Sequence, residues 1–178
     1  LGFTVFCGIS VKNIDTNPGF EKTLPTAHPY IKTFFDYRES FGNANRVIIS
    51  YKPAVGTIYN AESLDVLKNI TEDLFYLKGI ERSSLTSLFT PNVRYMEIVE
   101  DGFKGGNVIS ANFSGTDNEI EIVRKNVIKS VWNGRLITKD GTQALVFASL
   151  QNKDLNVKNI SNGLEKIRVK YEKNGDKV

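Results

Sequence analysis

The chain has 178 residues, 40% of them hydrophobic and 24% charged, with a formal net charge of +3. That length fits one ordinary domain or two small lobes able to bury a core, and so small a charge, spread along the chain, gives no concentrated basic face for nucleic acid. A single cysteine, Cys7, and a single histidine, His28, exclude an internal disulfide, a multi-cysteine zinc site, a His-rich metal centre and most His-based triads.

The opening Leu1–Val11 is apolar but short. It fits either a strand or the outer end of a transmembrane helix, and periodicity does not separate the two over such a length. It lacks an initiator Met and a basic start, so it makes a poor signal peptide. With a last stretch that stops at a turn signal, it reads as part of an excised fragment. Residues 12–27 read as irregular, broken at Asn17-Pro18-Gly19 and Pro25. Pro29 suits the first turn of a helix, with Tyr30, Phe34, Phe35 and Phe41 on its apolar face and Gly42 as its stop.

Asn45–Lys52 reads as a β-branched strand closed by Pro53 and Gly56. Asn60 is placed to cap a helix over 61–78, whose core stripe is Leu64, Leu67, Ile70, Leu74 and Leu77. Residues 80–89 read as a second strand, which completes a β-α-β unit. In the central stretch, 87–109, Tyr95–Val99 has strand composition, while Asp101-Gly102 and Gly105-Gly106 turn the chain. Thr116–Glu119 is a capping box for a helix ended by Asn133-Gly134, with Ile120, Val123, Val127, Ile128 and Val131 on its apolar face. Asp140-Gly141, flanked by Arg135–Lys139 and Thr142–Leu150, is a two-residue hairpin signal. A last helix, about 156–172, turns Ile160, Leu164, Ile167 and Tyr171 inward and is weakened at Asn162-Gly163. The expected fold is α+β: a ferredoxin-like α/β sandwich with a β-α-β unit, an irregular central connector, and an α–β-hairpin–α unit.

The sequence assembles no catalytic, cofactor or metal constellation, and no binding residue is assigned. His28 beside Pro29 reads as a helix-entry cap, and Cys7 as a small buried hydrophobe. Glu97, Glu100 and Asp101 have no calcium-loop spacing and read as a solvated strand edge. Gly102-Phe103-Lys104-Gly105-Gly106 lacks the Gly-Lys-Ser/Thr ending of a phosphate loop. The sequons at Asn69, Asn112 and Asn159 arise in an Asn-rich chain, and two of them fall on expected helices. Arg94-Tyr95 and Phe103-Lys104 are too sparse for a base-stacking surface, so packing is their expected role. The residues alone leave a non-catalytic binding or interaction domain, stand-alone or not, ahead of a small α+β enzyme.

Ser87-Leu88-Phe89-Thr90-Pro91-Asn92-Val93-Arg94-Tyr95 followed by Glu100-Asp101-Gly102-Phe103-Lys104-Gly105-Gly106-Asn107-Val108-Ile109 resembles the first large extracytoplasmic domain of bacterial RND-superfamily exporters of the MMPL-like branch. Leu24–Ile31, Phe41–Val47 and Gly134-Arg135-Leu136 resemble further segments of that domain, in the same order. The resemblance implies a ferredoxin-like porter domain in the periplasm, carried by a proton-driven inner-membrane exporter. Residues 1–27 would be a membrane-proximal segment or the end of the first transmembrane helix. Residues 28–178 would be the porter domain: a first half at 28–90, a connector at 91–115 and a second half at 116–178. The domain would bind or pass hydrophobic or lipid-like cargo, contact the rest of the transporter, need no cofactor and catalyse nothing. The Gly-rich 102–106 stretch would suit either a hinge or plain tight turns.

Overall fold

The computed structural model describes residues 25, 28–33, 36, 45–151, 157–173 and 175–178. The expectations for residues 1–24, including Cys7, and for Phe34, Phe35, Phe41 and Gly42 lie outside the described residues. The architecture is α+β. In chain order it runs β1 (Arg46–Tyr51), α1 (Ala61–Tyr76), a 3-10 turn (Arg82–Ser84), β2 (Arg94–Val99), β3 (Gly102–Asn107), α2 (Asp117–Ile128), β4 (Ala144–Ser149) and α3 (Val157–Tyr171).

β1 forms because its residues alternate. Val47, Ile49 and Tyr51 are buried, while Arg46, Ile48 and Ser50 are exposed, the period-2 pattern of a strand with one face on a core. Its partner is β4, antiparallel, with Arg46 opposite Ser149 and Tyr51 opposite Ala144. The far edge of β4 is also occupied. Thr86 exchanges both backbone bonds with Phe147 (2.8 and 3.0 Å), Leu145 donates to the Leu136 carbonyl, and Glu81 donates to that of Ser149. Beyond β1, Lys52 exchanges two 2.9 Å bonds with Lys177. The strand-like segments therefore lie in the order 177, β1, β4, 80–86.

The inward side of this sheet is covered by α1 and α3. Asn60 caps α1, accepting from the Ser63 N–H at 2.7 Å, and Leu64, Leu67, Ile70 and Leu74 form a fully buried stripe at the expected spacing. Ile160 and Ile167 of α3 are buried beside it, with Leu164 and Tyr171 half-buried. Gly163 does not break α3. A Cβ there would stand 2.3 Å from a Leu77 methyl, so the glycine is what lets the end of α1 approach α3. Tyr171 donates to Asp73 at 2.7 Å, and Lys170 pairs with the same carboxylate oxygen.

Three expected elements differ. The stretch 80–89 is not a continuous strand: isolated bridges at Ile80 and Thr86 flank the 3-10 turn. Its serines compete for the backbone. Ser84 donates through Oγ to the Glu81 carbonyl at 2.7 Å, and the same oxygen accepts the Ser149 N–H of β4, standing in for a ladder carbonyl. The helix after Thr116 ends at Ile128, short of Asn133, because the Ser130 hydroxyl and N–H both donate to the Val127 carbonyl. Ile128, the last helical residue, and Val131 beyond it are exposed rather than on the buried face. At Asp140-Gly141 the Thr138 N–H bonds to the Gln143 carbonyl. That pair encloses a four-residue loop instead of a two-residue turn, and on its first side only Asn133 and Ile137 make bridges.

The central connector is not irregular. β2 and β3 form an antiparallel hairpin whose two-residue turn is Glu100-Asp101, with Val99 opposite Gly102. Gly105 and Gly106 lie inside β3 and make no turn. A Cβ on Gly105 would stand 2.7 Å from the Tyr95 carbonyl oxygen, and the Tyr95 ring lies over Gly106. The hairpin leaves the core at Val93 and Val108, both buried and joined by a 3.1 Å backbone bond.

Gly163→Val is expected to lower stability by about 1–3 kcal/mol through overpacking against Leu77, with part of the loss recovered when Leu77→Ala is added. Urea unfolding of the two single variants and the double variant measures this; additive losses would mean that the close approach is not the cause. The Thr116 capping box supplies a second test. Glu119 accepts from the N–H and hydroxyl of both Ser114 and Thr116 at 2.7–3.1 Å. The Ser114 hydroxyl and then the Thr116 groups hold its carboxyl down, from an ordinary 4.5 to about 2. Between those values the unfolded chain binds the extra proton, so the contribution is present above about pH 4.5 and lost as pH falls through about 2. Glu119→Gln should therefore be less stable than the native chain near neutrality, with the two converging at pH 2 in urea titrations.

Candidate functional site

The residues singled out from the sequence do not come together. His28 is exposed at a helix entry, where its Nδ1 accepts the Tyr30 N–H at 3.4 Å and its ring stacks on Tyr30. This is the capping role expected of it. Glu97 forms an ion pair with Lys129, next to the end of α2, and that ammonium holds its carboxyl below the usual range. Glu100 and Asp101 form the hairpin turn, so no carboxylate pair exists there. Gly102–Gly106 lies in a strand with no helix following it directly. Asn69 sits on α1, bonded to Asp65 at 3.0 Å, and Asn159 on α3, whereas Asn112 is exposed on a loop. Among the described residues, no group of three or more His, Cys, Asp or Glu side chains is placed to hold a metal ion.

What the structure assembles instead is an apolar groove of about 590 Å³ beside α1. One wall is the flank of α1 at Lys68, Glu72, Phe75 and Tyr76, outside the buried Leu/Ile stripe. The opposite wall is Phe89, Thr90 and Pro91, and Asn107 at the end of β3 with Ile109, Ser110 and Ala111 closes the end. Leu85 and Ile109 are buried at its base. Phe75 is held in place by Arg82, whose guanidinium sits 5.2 Å from the ring centre and donates to the Phe75 carbonyl. Phe89 meets Phe113 edge-on at 6.1 Å.

Beneath the groove lies a buried pair of hydroxyls. Thr71 Oγ is 2.7 Å from the Leu67 carbonyl and 2.9 Å from Ser87 Oγ. Ser87 Oγ also accepts the Phe89 N–H at 3.1 Å, and the Ser87 N–H donates to Thr90 Oγ at 3.0 Å. Among the described residues no imidazole, carboxylate or amine bonds to Ser87, whose hydroxyl partners are Thr71 and the Phe89 N–H. The pair fixes the 87–90 turn, and with it the position of Phe89. The groove thus offers apolar burial with charges of both signs at its rim and a volume in the range of small-molecule sites.

Sequence reading singled out 87–109, with Ile109 as its last residue, but not Phe75. A signal was present for Phe75-Tyr76: two adjacent aromatics that fall off the core stripe of α1 are a patch needing a reason. Two hollows lie between the two α/β halves, one of about 570 Å³ between α1 and α3 and one of about 260 Å³ between β1 and α3. One hydrophobic cluster runs through both halves. The groove at Phe75 and Phe89 lies instead between the first half and the 91–115 segment, and the hollow between α1 and α3 has Asp73, Asn162, Lys166 and Lys170 at its edge.

A second apolar surface is the outer face of the hairpin. Met96, Ile98 and Phe103 all point to one side, since Ile98 is opposite Phe103 and Met96 opposite Gly105. They are 66%, 83% and 77% exposed, an unusual fraction for three neighbouring large side chains. The other face carries Tyr95 and Glu97 and is tied to α2 through Lys129.

No family profile matches the sequence, and no solved structure matches it. Over 84 residues, 43% of this chain, it is 36% identical to a protein of Methanocaldococcus jannaschii that bears the name "Putative membrane protein MJ1562". The match spans only 22% of that protein's length. Among the described residues of the present chain, no helix is long and apolar enough to cross a membrane.

Ser87→Ala should strand the Phe89 N–H and deprive Thr71 of a partner, at about 1–3 kcal/mol in urea unfolding. Adding Thr71→Val should cost less than the sum of the single losses. Strict additivity would contradict a coupled pair under the groove.

Proposed function

We propose that the chain is an extracytoplasmic, periplasmic domain of a proton-driven exporter of the RND superfamily, MMPL-like branch, which helps to bind or pass a hydrophobic or lipid-like substrate and performs no catalysis itself. The observation that carries the reading is the groove at Phe75, Phe89 and Ile109: a concavity with aromatic walls over a buried apolar base. Two further observations support it. The motifs at 87–109 resemble that family, and they form one wall and one end of this groove. The order 177, β1, β4, 80–86 is the spatial order of a split β-α-β sheet, with the hairpin and α2 inserted in the middle; this agrees with a ferredoxin-like porter subdomain. Similarity to a stretch of a protein named as a membrane protein fits a parent that sits in a bilayer.

On this reading the cargo's apolar part lies along Phe75, Phe89 and Ile109, and displacement of water from those walls provides the affinity. The bare face of Met96, Ile98 and Phe103 lies against the remainder of the transporter. Isolated binding is weak, because one groove covers only part of a lipid-sized molecule.

Titration with a long-chain fatty acid, followed by amide NMR, is expected to shift Phe75, Phe89 and Ile109 first. Phe75→Glu, on the exposed wall, should abolish those shifts while the shifts of β1 and β4 stay native. A groove that ignores acyl ligands removes the cargo role. A parent reading frame without transmembrane helices flanking this segment removes the exporter assignment as a whole.

A further inference from the structure

The β2–β3 hairpin turns its more apolar face away from the rest of the fold. Arg94, Met96 and Ile98 share that face with Phe103, Gly105 and Asn107. The anchored face carries Tyr95, Glu97, Val99 and Lys104 beside Gly102 and Gly106, with Glu97 tied to Lys129. A sheet with one face on a core normally places its apolar residues inward and its polar ones outward, and here that order is reversed. A two-stranded hairpin is marginal in water by itself. A face of three large apolar side chains, all more than half exposed, is a surface built to be covered.

The face is complementary to itself. Glu97 stands opposite Lys104 in the ladder, and this pair marks the midline of the hairpin. Arg94 lies three residues to one side of it and Glu100 three residues to the other. Among the described residues, Arg94, Glu100 and Asp101 have no ion pair of their own. Phe103 and Gly105 stand one residue either side of Lys104, so an aromatic projection and a bare position are equally far from the same midline. A second hairpin, turned over about a two-fold axis along the Glu97–Lys104 line, meets the first face to face, with β2 over β2 and β3 over β3. Arg94 then faces the partner's Glu100, Met96 faces the partner's Ile98, and Phe103 enters the gap left at the partner's Gly105. Sheets packed nearly aligned and about 10 Å apart accommodate such a pairing. The acidic tip at Glu100-Asp101 is repelled by the negative surface of a bilayer, which disfavours lipid as the covering layer.

We infer that the outer face of the β2–β3 hairpin is a homodimer interface, in which a second copy of this chain covers Met96, Ile98 and Phe103 across a two-fold axis at Glu97–Lys104. Each copy buries the same patch, as a two-fold contact requires. Three large side chains per copy cover less than the roughly 800 Å² that a standard interface buries on each side. The pair is therefore weak in free solution, with a dissociation constant on the order of 100 µM, and it tightens where two copies are held side by side. On the exporter reading, the part of the transporter against this face is thus a second copy. The pairing itself rests on the hairpin alone, and its loss leaves the groove and the fatty-acid titration unaffected.

Met96 is the chain's single methionine, so a ¹³C-labelled methionine methyl reports on this face alone. Its NMR shift, and the mass from sedimentation equilibrium, should pass from monomer to dimer between about 10 µM and about 1 mM. Phe103→Ser, at a side chain 77% exposed, should weaken the pairing at least about tenfold. Charge exchange tests the two-fold arrangement. Arg94→Glu alone and Glu100→Lys alone each set like charges against each other twice, and each should weaken the dimer about three- to tenfold at low ionic strength. An equimolar mixture of these two variants restores both attractions and should pair more tightly than either variant with itself. Within one hairpin the two positions are about 20 Å apart, too far for a rescue inside the chain. Should Phe103→Ser disturb the hairpin, the charge variants decide. A mixture no tighter than the single variants overturns the inference, as does a dimer that a folded Phe103→Ser chain still forms at full strength. A chain that stays monomeric at about 1 mM overturns it too, and a Met96 methyl that then responds to phosphatidylcholine vesicles would make lipid the occupant instead.

Discussion

β4 is the strand on which the fold depends. Its six residues are paired on both sides, with β1 along one edge and Glu81, Thr86 and Leu136 along the other. Ala144, Val146 and Ala148 point into the core between α1 and α3. Two are alanines, which keeps the helices close to the sheet. The main-chain links from 45–52 to the rest of the sheet, and from 79–86 to anything beyond α1, run largely through this one strand. A buried central strand must have every N–H and C=O satisfied, and the Ser84 hydroxyl that takes the Ser149 N–H shows how the local 3-10 turn is accommodated without leaving an orphan donor.

Much of this was legible in residue periodicity. The α1 stripe, the Asn60 cap, the Thr116 capping box, the alternation in β1 and the inward face of α3 are local patterns, and each appears where the spacing puts it. The misreadings were of two kinds. At 80–89 and after Val127, serine side chains bonded their own backbone and cut short an element whose hydrophobic pattern ran on. At Gly105, a glycine that looked like a turn residue was in a strand, because the Tyr95 carbonyl oxygen comes too close for a side chain there. Close approach and turning both call for glycine, and sequence alone does not tell them apart. Gly163 is the same case in a helix, where Leu77 is the reason.

The candidate site was half legible. The stretch 87–109 stands out for its aromatics and its breaks, and it does furnish a wall and one end of the groove. Phe75 was hidden because a helix has two sides: the strong Leu/Ile stripe accounts for α1 without it. The Thr71–Ser87 contact was also hidden, since it joins a helix to a turn across a gap that no periodicity reports. The two faces of the β2–β3 hairpin differ in the same way. Alternation predicts that they differ, and the position of Lys129, just past α2, says which one is anchored.

The pairing of β1 with β4 also sets a timetable. The two strands are separated by roughly a hundred residues, so the sheet closes only after nearly the whole chain is present, a non-local contact of the kind that slows folding. During synthesis, α1, the hairpin and α2 have their local partners early, while β1 waits with both edges open. A ribosome-bound or partly translocated chain that has emerged only as far as α2 would hold a completed hairpin and helices but no closed sheet. Anything that shields β1 in that interval acts on the one step that the local patterns do not direct.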